Sequence, residues 1–207
     1  MEKVKVLLLG DSPIALYALE LLKDYQVYVI GDEIDIPWLP MYLMPIDFKP
    51  DVAFSIKYPH VLTKKFIDEV GVPILNFHTA PLPELRGVDT CSWAIYHKLK
   101  RFGVTVHIID EKVDSGDIVL KETFPIKKWD TAYSLYCKNL ILLRKVIREN
   151  LIRFVNGDYL AWENEGKVSY FHKKGEFDYT DLKVPKENQD IFIRSRYFPG
   201  KQLPYYG

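Results

Sequence analysis

Aliphatic runs alternate with helical patterns along most of the chain. Residues 4–9 form a continuous aliphatic run, which is typical of a strand buried on both faces of a sheet. Ser12 followed by Pro13 supplies a helix N-cap and a proline at the first helical position, so a helix is predicted over residues 14–23. A second short strand is predicted at residues 26–30. This β-α-β opening predicts a parallel sheet with right-handed crossovers.

The same alternation resumes after an irregular, proline-interrupted connection at residues 31–50. Further strands are predicted at residues 52–56, 73–77, 104–109 and 118–124, and further helices at residues 63–70, 88–99 and 131–154. Beyond residue 157 the pattern predicts hairpin-like pieces at residues 160–162 and 167–171 and a short helix at residues 187–196. We therefore predict an α/β fold, with a mostly parallel sheet and helices on both faces over residues 1–157, and a short β-rich hairpin and helix appendage over residues 158–207.

Composition narrows the class of protein. The 207 residues carry 28 Lys and Arg against 28 Asp and Glu, so no general positive field favours nucleic acid or an anionic membrane. The two cysteines, Cys91 and Cys137, are too few for a disulfide framework and fit a reducing compartment. No apolar run reaches about 18 residues, and the start of the chain lacks the pattern of a secretion signal. We therefore expect a cytoplasmic globular enzyme without a membrane or nucleic-acid partner.

The first strand–helix turn is the natural place to test for a bound dinucleotide. Only Gly10 of a G-x-G-x-x-G fingerprint is present, although Asp32 lies about twenty residues on, where a ribose-binding acid would stand. Asp11 would place a negative charge beside an incoming phosphate. A non-catalytic or dinucleotide-binding module on this fold is thus a weaker alternative of a different class.

A polar cluster is predicted at the carboxyl end of the strand at residues 73–77. Asn76 and His78 have strand spacing, so their side chains can point the same way. Open α/β sheets bind ligands at the carboxyl ends of their strands. Asp114 lies on the loop after the strand at residues 104–109, and a carboxylate there could orient or polarise the imidazole of His78.

Five short motifs, in the order of the chain, resemble those of folate-dependent formyltransferases. They read Asn76/His78, Leu82-Pro83/Arg86-Gly87, Trp93-Ala94-Ile95, Gly103-Val104-Thr105/His107 and Asp114/Gly116. Strong matches cover about residues 50–125, and weaker ones cover residues 3–22. The resemblance implies a Rossmann-like formyltransferase sheet, N10-formyltetrahydrofolate as the donor, an amine as the acceptor, and no metal.

The resemblance also implies that Asn76, His78 and Asp114 are the catalytic residues. An amine attacks the formyl carbon and leaves an oxyanion, to which Asn76 can donate its amide N–H. His78 can donate to the same oxygen when it is protonated, or it can accept the amine proton as a base. Asp114 favours the imidazolium and can help to relay a proton to the departing N10. His107, on a strand among β-branched residues, is interpreted as structural.

Among the branches of this family, the chain is most similar to the nucleotide-linked sugar N-formyltransferases. The similarity lies in residues 80–83 and 92–95 and in the terminal R-x-R-x-F-P-G at residues 194–200. This branch implies a dTDP-linked 4-amino- or 3-amino-dideoxyhexose of O-antigen and lipopolysaccharide biosynthesis as the acceptor, and a homodimer. Glycinamide ribonucleotide formyltransferase of purine synthesis is the alternative. The tRNA-formylating branch is disfavoured, because its further domain of about a hundred residues has no room here.

The resemblance assigns residues to both substrates. The expected cofactor-binding residues are Ile56, Lys57, Tyr58, Lys112, Val113, Ser115 and Gly116. The expected acceptor-binding residues are Lys57, Pro81, Glu84, Arg86, Trp93 and Phe198. Lys57 follows a buried strand directly, so its ammonium group should emerge at the cleft and meet the phosphates of the acceptor.

Overall fold

A computed structural model of the protein describes residues 3–10, 12–31, 48–166, 170–181 and 183–200. Its strands are β1 (Lys5–Leu9), β2 (Gln26–Ile30), β3 (Val52–Ser55), β4 (Ile74–His78), β5 (Leu85–Gly87), β6 (Arg101–Ile108), β7 (Ile118–Pro125) and β8 (Tyr170–His172). Its helices are α1 (Pro13–Leu21), α2 (Lys64–Val70), α3 (Thr90–Tyr96), α4 (Ala132–Val155) and α5 (Gln189–Arg196). Each strand predicted before residue 125 is confirmed to within three residues at either end, whereas β5 was not predicted.

The main sheet has six strands in the order β2-β1-β3-β4-β6-β7. The first four run parallel to one another, whereas β6 and β7 are antiparallel to their neighbours. The pairing of β4 with β6 sets Asn76 opposite His107 and His78 opposite Thr105. The predicted mainly parallel α/β sheet is confirmed. The strand direction reverses between β4 and β6, and β4 carries the candidate site.

Alternating side chains of β1 bury both faces of the sheet. Val6 and Leu8 pack in a core that includes residues of α1 and α4, whereas Leu7 and Leu9 pack in a second core that includes Val70 of α2. Successive strand residues point to opposite faces, so a strand covered on both sides needs a continuous aliphatic run. The prediction of helices on both faces is confirmed.

Short polar side chains begin the helices where the sequence indicates. The Ser12 hydroxyl accepts the backbone N–H of Ala15 at 3.4 Å and begins α1. Thr131 and Ser134 form a reciprocal capping box at the start of α4. Gly71, with φ of 73°, ends α2 in the left-handed conformation that glycine adopts without strain. These caps explain why the predicted helix limits agree closely with the structure.

The segment after α4 differs from the predicted hairpin. β8 pairs in parallel with β5 and places His172 opposite Gly87. Trp162 forms an isolated antiparallel bridge with Ile118 at the start of β7. α5 packs against α3. The described strand residues of the tail therefore pair with residues of the preceding segment, 1–157, and not with one another. Local sequence could not indicate this pairing.

Several sequence expectations fall outside the described residues, namely those for residues 32–47 and 167–169 and for Asp11. Gly10, by contrast, is described. Its φ is 130°, and a Cβ there would stand 2.2 Å from the carbonyl oxygen of Ile56. This glycine is needed where the turn after β1 packs closely against the backbone that follows β3.

The longest helix, α4, has 24 residues, which is enough in length alone to cross a bilayer. Its sequence is interrupted by charged residues such as Lys138, Arg144 and Glu149. Within the described ranges, no helix combines the length and the apolar character that crossing a membrane requires.

Candidate active site

Two polar side chains stand on one face of β4. Asn76 and His78 are two residues apart, so both project from the face opposite Leu75 and Phe77, which are buried in the core. The His78 ring is buried, and its Nε2 lies 3.1 Å from the carbonyl oxygen of Leu85. In the neutral ring this contact makes Nε2 the protonated nitrogen and leaves Nδ1 as the basic one.

His107 joins this pair from β6. It lies opposite Asn76, at an irregularity in the pairing of β6 with β7, and such bulges often re-aim a side chain beside a functional site. His107 Nδ1 donates to the carbonyl oxygen of Ile108 at 2.9 Å, so Nε2 accepts an amide N–H of Asn76 at 3.0 Å. The sequence alone favours a structural role for His107, and the structure places its ring beside the Asn76 amide.

Asp114 completes the polar cluster, which we define as Asn76, His78, His107 and Asp114. Its Oδ1 lies 3.6 Å from His78 Nδ1 and 3.4 Å from His107 Nε2. Its Oδ2 accepts the backbone N–H of Gly87 at 2.9 Å, and the side chain is only 10% exposed. The three residues that the sequence analysis singled out therefore converge in space, with a second histidine beside them.

The surroundings of Asp114 and His78 lower the pKa values of both groups. Burial lowers the pKa of His78 below its ordinary value, and Asp114 opposes only part of this effect. Burial by itself raises the pKa of Asp114, but the attraction of His78 acts against it. The hydrogen bond from the Gly87 backbone N–H acts with that attraction, so the pKa of Asp114 lies well below its ordinary value. At neutral pH Asp114 is a carboxylate, and His78 is a neutral imidazole.

The loop that carries Asp114 is held by its own polar contacts. Asp114 has φ of 54°, and the hydroxyl of Ser115 donates to Asp110 at 2.6 Å. Gly116 passes so close to the end of β6 that a Cβ there would stand 2.0 Å from a carbonyl oxygen. Asn164, in the tail, donates to the carbonyl oxygens of Asp114 and Gly116. Ser115 and Gly116, which were expected to bind cofactor, therefore shape the loop and do not line the cavity.

A cavity of about 610 Å³ opens beside the polar cluster, within the size range of small-molecule sites. One set of lining residues, the loop wall, comprises residues 57–62 and 109–113. It includes Lys57, Tyr58, Lys112 and Val113 from the expected cofactor-binding set. A second set, the aromatic wall, comprises residues 87–92 with Tyr136, Tyr179 and Phe198. The cavity is thus bounded by a polar cluster and two walls of different character.

The tail brings Phe198 into the aromatic wall. The Phe198 ring lies 5.4 Å from that of Tyr136 on α4. Arg194 donates to a backbone carbonyl just before α4 at 2.8 Å, and Arg196 donates to a carbonyl within the tail at 3.0 Å. The two arginines of the terminal R-x-R-x-F-P-G therefore fold the tail, and the phenylalanine reaches the cavity. Lys57 Nζ lies 5.8 Å from the Tyr136 ring, where the loop wall meets the aromatic wall.

Glu84 and Trp93, both expected to bind the acceptor, are engaged elsewhere. The Glu84 carboxylate pairs with Lys121 Nζ at 2.7 Å. The Trp93 ring stacks on His172 of β8, with centroids 3.6 Å apart. The first contact joins the segment before β5 to β7, and the second joins α3 to the tail. Both side chains lie outside the cavity lining.

Pro81, Arg86 and Ile56 also lie outside the cavity lining. Ile56 is fully buried in the core, so it supports the loop wall from behind. Arg86 lies in β5, and its buried Nε has no hydrogen-bond partner among the described residues. Of the six expected acceptor-binding residues, the structure brings Lys57 and Phe198 to the cavity.

Cys91 lines the cavity, but burial raises the pKa of its thiol to about 12. It is therefore a thiol and not a thiolate at neutral pH, which makes it a poor nucleophile. The described residues contain no group of three or more His, Cys, Asp or Glu side chains that could hold a metal ion. The chemistry that the site offers is that of an amide, two imidazoles and a carboxylate.

Known proteins are similar to this chain over the region that contains the polar cluster. The formyl transferase family model matches residues 46–149, a range that includes the whole polar cluster. GDP-perosamine N-formyltransferase from Brucella melitensis is 27% identical over 159 residues, which are 76% of this chain and 61% of that protein. A methionyl-tRNA formyltransferase from a Geobacillus species is 31% identical over 157 residues, which are 75% of this chain and 49% of that protein. The chain spans less than two thirds of the length of either relative.

Solved structures share the fold over nearly the whole chain. The N-formyltransferase from Helicobacter canadensis, in complex with folinic acid and dTDP-3-aminofucose, is 25% identical with a TM-score of 0.81. The similarity covers 98% of this chain and 84% of that one, so it extends over the tail as well as the sheet. With the family match covering half of the sequence and the entire polar cluster, the chain belongs to the formyl transferase family.

Proposed function

We propose that the protein transfers a formyl group from N10-formyltetrahydrofolate to the amino group of a nucleotide-linked sugar. The observation that carries this proposal is that an amide, a neutral imidazole and a carboxylate converge beside one cavity. Each has a polar atom within 3.6 Å of a polar atom of another member of the polar cluster. The acceptor that the residues favour is a dTDP-linked 3-amino- or 4-amino-dideoxyhexose.

His78 serves as the base in this proposal. Formyl transfer releases one proton from the attacking amine, and a group near the reacting nitrogen must accept it. The Leu85 carbonyl occupies Nε2 of His78, so Nδ1 is the nitrogen that can accept. Asp114 lies 3.6 Å from Nδ1 and stabilises the imidazolium that results. The proton then passes to N10 as its bond to the formyl carbon breaks, so His78 returns to its neutral form.

Asn76 serves as the oxyanion donor. The formyl oxygen gains negative charge when the amine attacks, and a preorganised N–H donor stabilises that charge. One N–H of the Asn76 amide is used by His107 Nε2 at 3.0 Å, which leaves the second N–H for the substrate. His107 therefore acts as the residue that holds the Asn76 amide in place.

The loop wall suits the folate donor. Tyr58, Leu62, Ile109 and Val113 offer aromatic and aliphatic surface to a flat pterin ring. Lys112 is exposed at the rim of the same wall, where a cation can meet the carboxylates of the folate glutamate. The loop wall adjoins the polar cluster through Asp114, so a donor held there would present its N10 side to His78.

The aromatic wall and Lys57 suit the nucleotide-linked acceptor. Phe198 and Tyr136 provide rings on which a base can stack, and such stacking tolerates several bases. Lys57 is exposed between the two walls, in position to meet a diphosphate. Of the proteins named above, one is a GDP-perosamine N-formyltransferase and another is in complex with dTDP-3-aminofucose, and this chain has aromatic and basic groups that suit such sugar nucleotides.

The test is an acceptor panel assayed with the purified protein and N10-formyltetrahydrofolate. The panel contains dTDP-3-aminofucose, a dTDP-4-amino-dideoxyhexose, GDP-perosamine, glycinamide ribonucleotide and methionyl-tRNA, with products identified by mass spectrometry. We expect formylation of a dTDP-linked amino sugar. Formylation of glycinamide ribonucleotide or methionyl-tRNA, with no turnover of any sugar nucleotide, would overturn the proposal.

A further inference from the structure

Three residues that line the cavity adopt a left-handed backbone conformation that residues other than glycine rarely take. They are Lys57 with φ of 56°, Asp89 with φ of 53° and Asp114 with φ of 54°. Residues held in such conformations concentrate at functional sites. The proposed function gives Lys57 and Asp114 a use in the site. It gives none to Asp89, whose conformation and position therefore call for an explanation.

Asp89 does not serve the helix that it precedes. It stands immediately before α3, yet its side chain makes no capping hydrogen bond. Thr131, before α4, shows the contrasting case, because its hydroxyl accepts the backbone N–H of Ser134. The Asp89 carboxylate instead accepts the hydroxyl of Tyr179 at 3.3 Å, which in the described part of the chain is its one side-chain partner. Asp89 lines the cavity, and its carboxylate can accept further hydrogen bonds.

Tyr179 holds the Asp89 carboxylate from the tail. The Tyr179 oxygen lies 2.7 Å from the hydroxyl oxygen of Ser92, which is almost fully buried in α3. Since the phenol directs its proton to Asp89, Ser92 donates to the phenol oxygen. Burial raises the pKa of Tyr179 to about 12, so the phenol stays a donor at every physiological pH. The Ser92 hydroxyl therefore donates to the Tyr179 hydroxyl, which in turn donates to the Asp89 carboxylate.

Asp89 is positioned to contact a substrate group that lies one sugar ring away from the reacting amine. Gly87 donates its backbone N–H to Asp114 at 2.9 Å, and Asp89 is two residues further on. Its Cα therefore lies within about 7 Å of that of Gly87. An amine held at His78 would place its sugar ring within reach of this carboxylate.

The chemistry of the acceptor decides which group Asp89 can bind. A carboxylate in contact with the amine would hold it as an ammonium, which has no lone pair with which to attack. A hydroxyl group of the sugar, by contrast, donates a charge-assisted hydrogen bond to a carboxylate and stays unreactive. A ring hydroxyl is therefore the partner that is compatible with the reaction.

We propose that Asp89 determines specificity for the acceptor by accepting a hydrogen bond from a hydroxyl group of its hexose ring, with Tyr179 as the positioning residue. The assignment rests on the proposed function and names the part of the substrate that Asp89 recognises. Tyr179 lies outside residues 46–149, so recognition of the sugar depends on a segment beyond the family match.

The test compares Asp89→Gly and Asp89→Asn with the wild-type protein, with dTDP-3-aminofucose as the acceptor. Glycine adopts the left-handed conformation at position 89 without strain, so Asp89→Gly removes the carboxylate and leaves the fold at least as stable. We expect its KM for the acceptor to rise about tenfold, the loss of a charged hydrogen bond, while KM for N10-formyltetrahydrofolate stays within about twofold. Asp89→Asn keeps an acceptor oxygen and should raise the acceptor KM by about threefold.

Tyr179→Phe tests the positioning role. It keeps the ring in the aromatic wall and removes the hydroxyl that donates to Asp89. We expect the acceptor KM to rise about threefold in the wild-type background and not to change in the Asp89→Gly background, because the hydroxyl would then have no carboxylate to hold. A purely structural role would give the same effect in both backgrounds and would overturn the positioning assignment.

Asn188→Gly is the matched control. Asn188 also precedes a helix with φ of 53° and without a side-chain cap, but it lies outside the cavity lining. Its replacement should leave both KM values unchanged. Unchanged acceptor KM in Asp89→Gly, or an equal rise in both KM values, would overturn the Asp89 assignment alone. Failure of the wild-type protein to formylate any sugar nucleotide would overturn the proposed function and this assignment with it.

Discussion

The polar cluster and the aromatic wall border one cavity but are built in opposite ways. The cluster comes from two adjacent strands and one loop within residues 76–114, and each of its members has a polar atom within 3.6 Å of another member. The wall is assembled from residues 87–92, from Tyr136 on α4, and from Tyr179 and Phe198 in the tail. Its parts are held together by contacts between segments that are far apart in sequence.

Under the proposed function, the reaction depends on the compact polar cluster, whereas the choice of acceptor depends on residues 87–92 together with side chains of α4 and the tail. The whole polar cluster lies within the family match at residues 46–149, whereas Tyr179 and Phe198 lie beyond it. Groups that act only in the transition state affect kcat, and groups that bind the substrate throughout affect KM. Substitutions in the cluster should therefore lower kcat, and substitutions in the aromatic wall should raise the KM of the acceptor.

The largest effect is expected from Asn76→Ala. Loss of one oxyanion donor typically lowers kcat by about 10²–10³-fold, and the KM values should change little because the interaction strengthens only as the oxyanion forms. The measurement is steady-state kinetics with both substrates varied. Asn150→Ala is the control, because Asn150 is a buried asparagine of α4 outside the cavity lining. A large rise in acceptor KM with unchanged kcat in Asn76→Ala would contradict the division between cluster and wall.

Asp114→Asn should change the pH profile as well as the rate. His78 must be neutral to accept a proton, so kcat/KM should fall as the pH drops below the pKa of His78, which burial sets below its ordinary value of 6.5. Asp114 partly opposes that lowering, so its loss lowers the pKa of His78 further. The acidic limb of the profile should move to lower pH by about one unit, and kcat at neutral pH should fall about tenfold because the base is weaker.

The amide that this variant introduces is a matched replacement for the carboxylate. Asparagine tolerates the left-handed conformation at position 114, and its oxygen can still accept the Gly87 N–H. The fold of the loop is thus preserved while the charge is lost. Disappearance of the acidic limb would identify Asp114 itself as the titrating base and would contradict the role of His78. A shift of the limb to higher pH would contradict the electrostatic effect of Asp114 on His78.

The same contrast explains what the sequence could predict. Asn76 and His78 are recognisable because strand spacing is a local property, and the helix caps at Ser12 and Thr131 are local in the same way. The contact between His107 and Asn76 is not predicted, because it depends on β6 being the antiparallel neighbour of β4. Sheet order is a long-range property that one sequence does not display.

The sequence predicts Phe198 and the short helix of the tail, whereas the contacts that assemble the aromatic wall are long-range and are not predicted. The terminal R-x-R-x-F-P-G indicated a functional tail, but the arginines bind backbone carbonyls and Phe198 reaches the cavity. β8 pairs with β5 and Trp93 stacks on His172, so residues that were expected to touch substrate or form a hairpin instead attach the tail. The β5–β8 pairing and the Trp93–His172 stack each join residues that are more than 70 positions apart in the sequence.

A moderate effect is expected from Phe198→Leu. Stacking of a base on an aromatic ring is worth about 1–3 kcal/mol, so the KM of a dTDP-linked acceptor should rise about tenfold while kcat changes little. Phe171→Leu is the control, since Phe171 lies in β8 of the same tail but outside the cavity lining. The measurement is the KM of each substrate. A loss confined to kcat would mean that Phe198 acts in the reaction, as the polar cluster does, and would contradict its role in binding the acceptor.

The smallest effect is expected from Lys57→Ala. The side chain is exposed, so its attraction for a diphosphate is screened by water and salt, and the acceptor KM should rise only about fivefold at low ionic strength. Because this attraction is electrostatic, the difference from wild type should shrink as salt is raised, whereas the effect of Phe198→Leu should persist. Lys65→Ala, which removes an exposed lysine of α2 outside the cavity lining, should change neither KM. A salt-independent rise, or an equal rise in the KM of the folate donor, would mean that Lys57 acts through the shape of the loop wall and not through the phosphates of the acceptor.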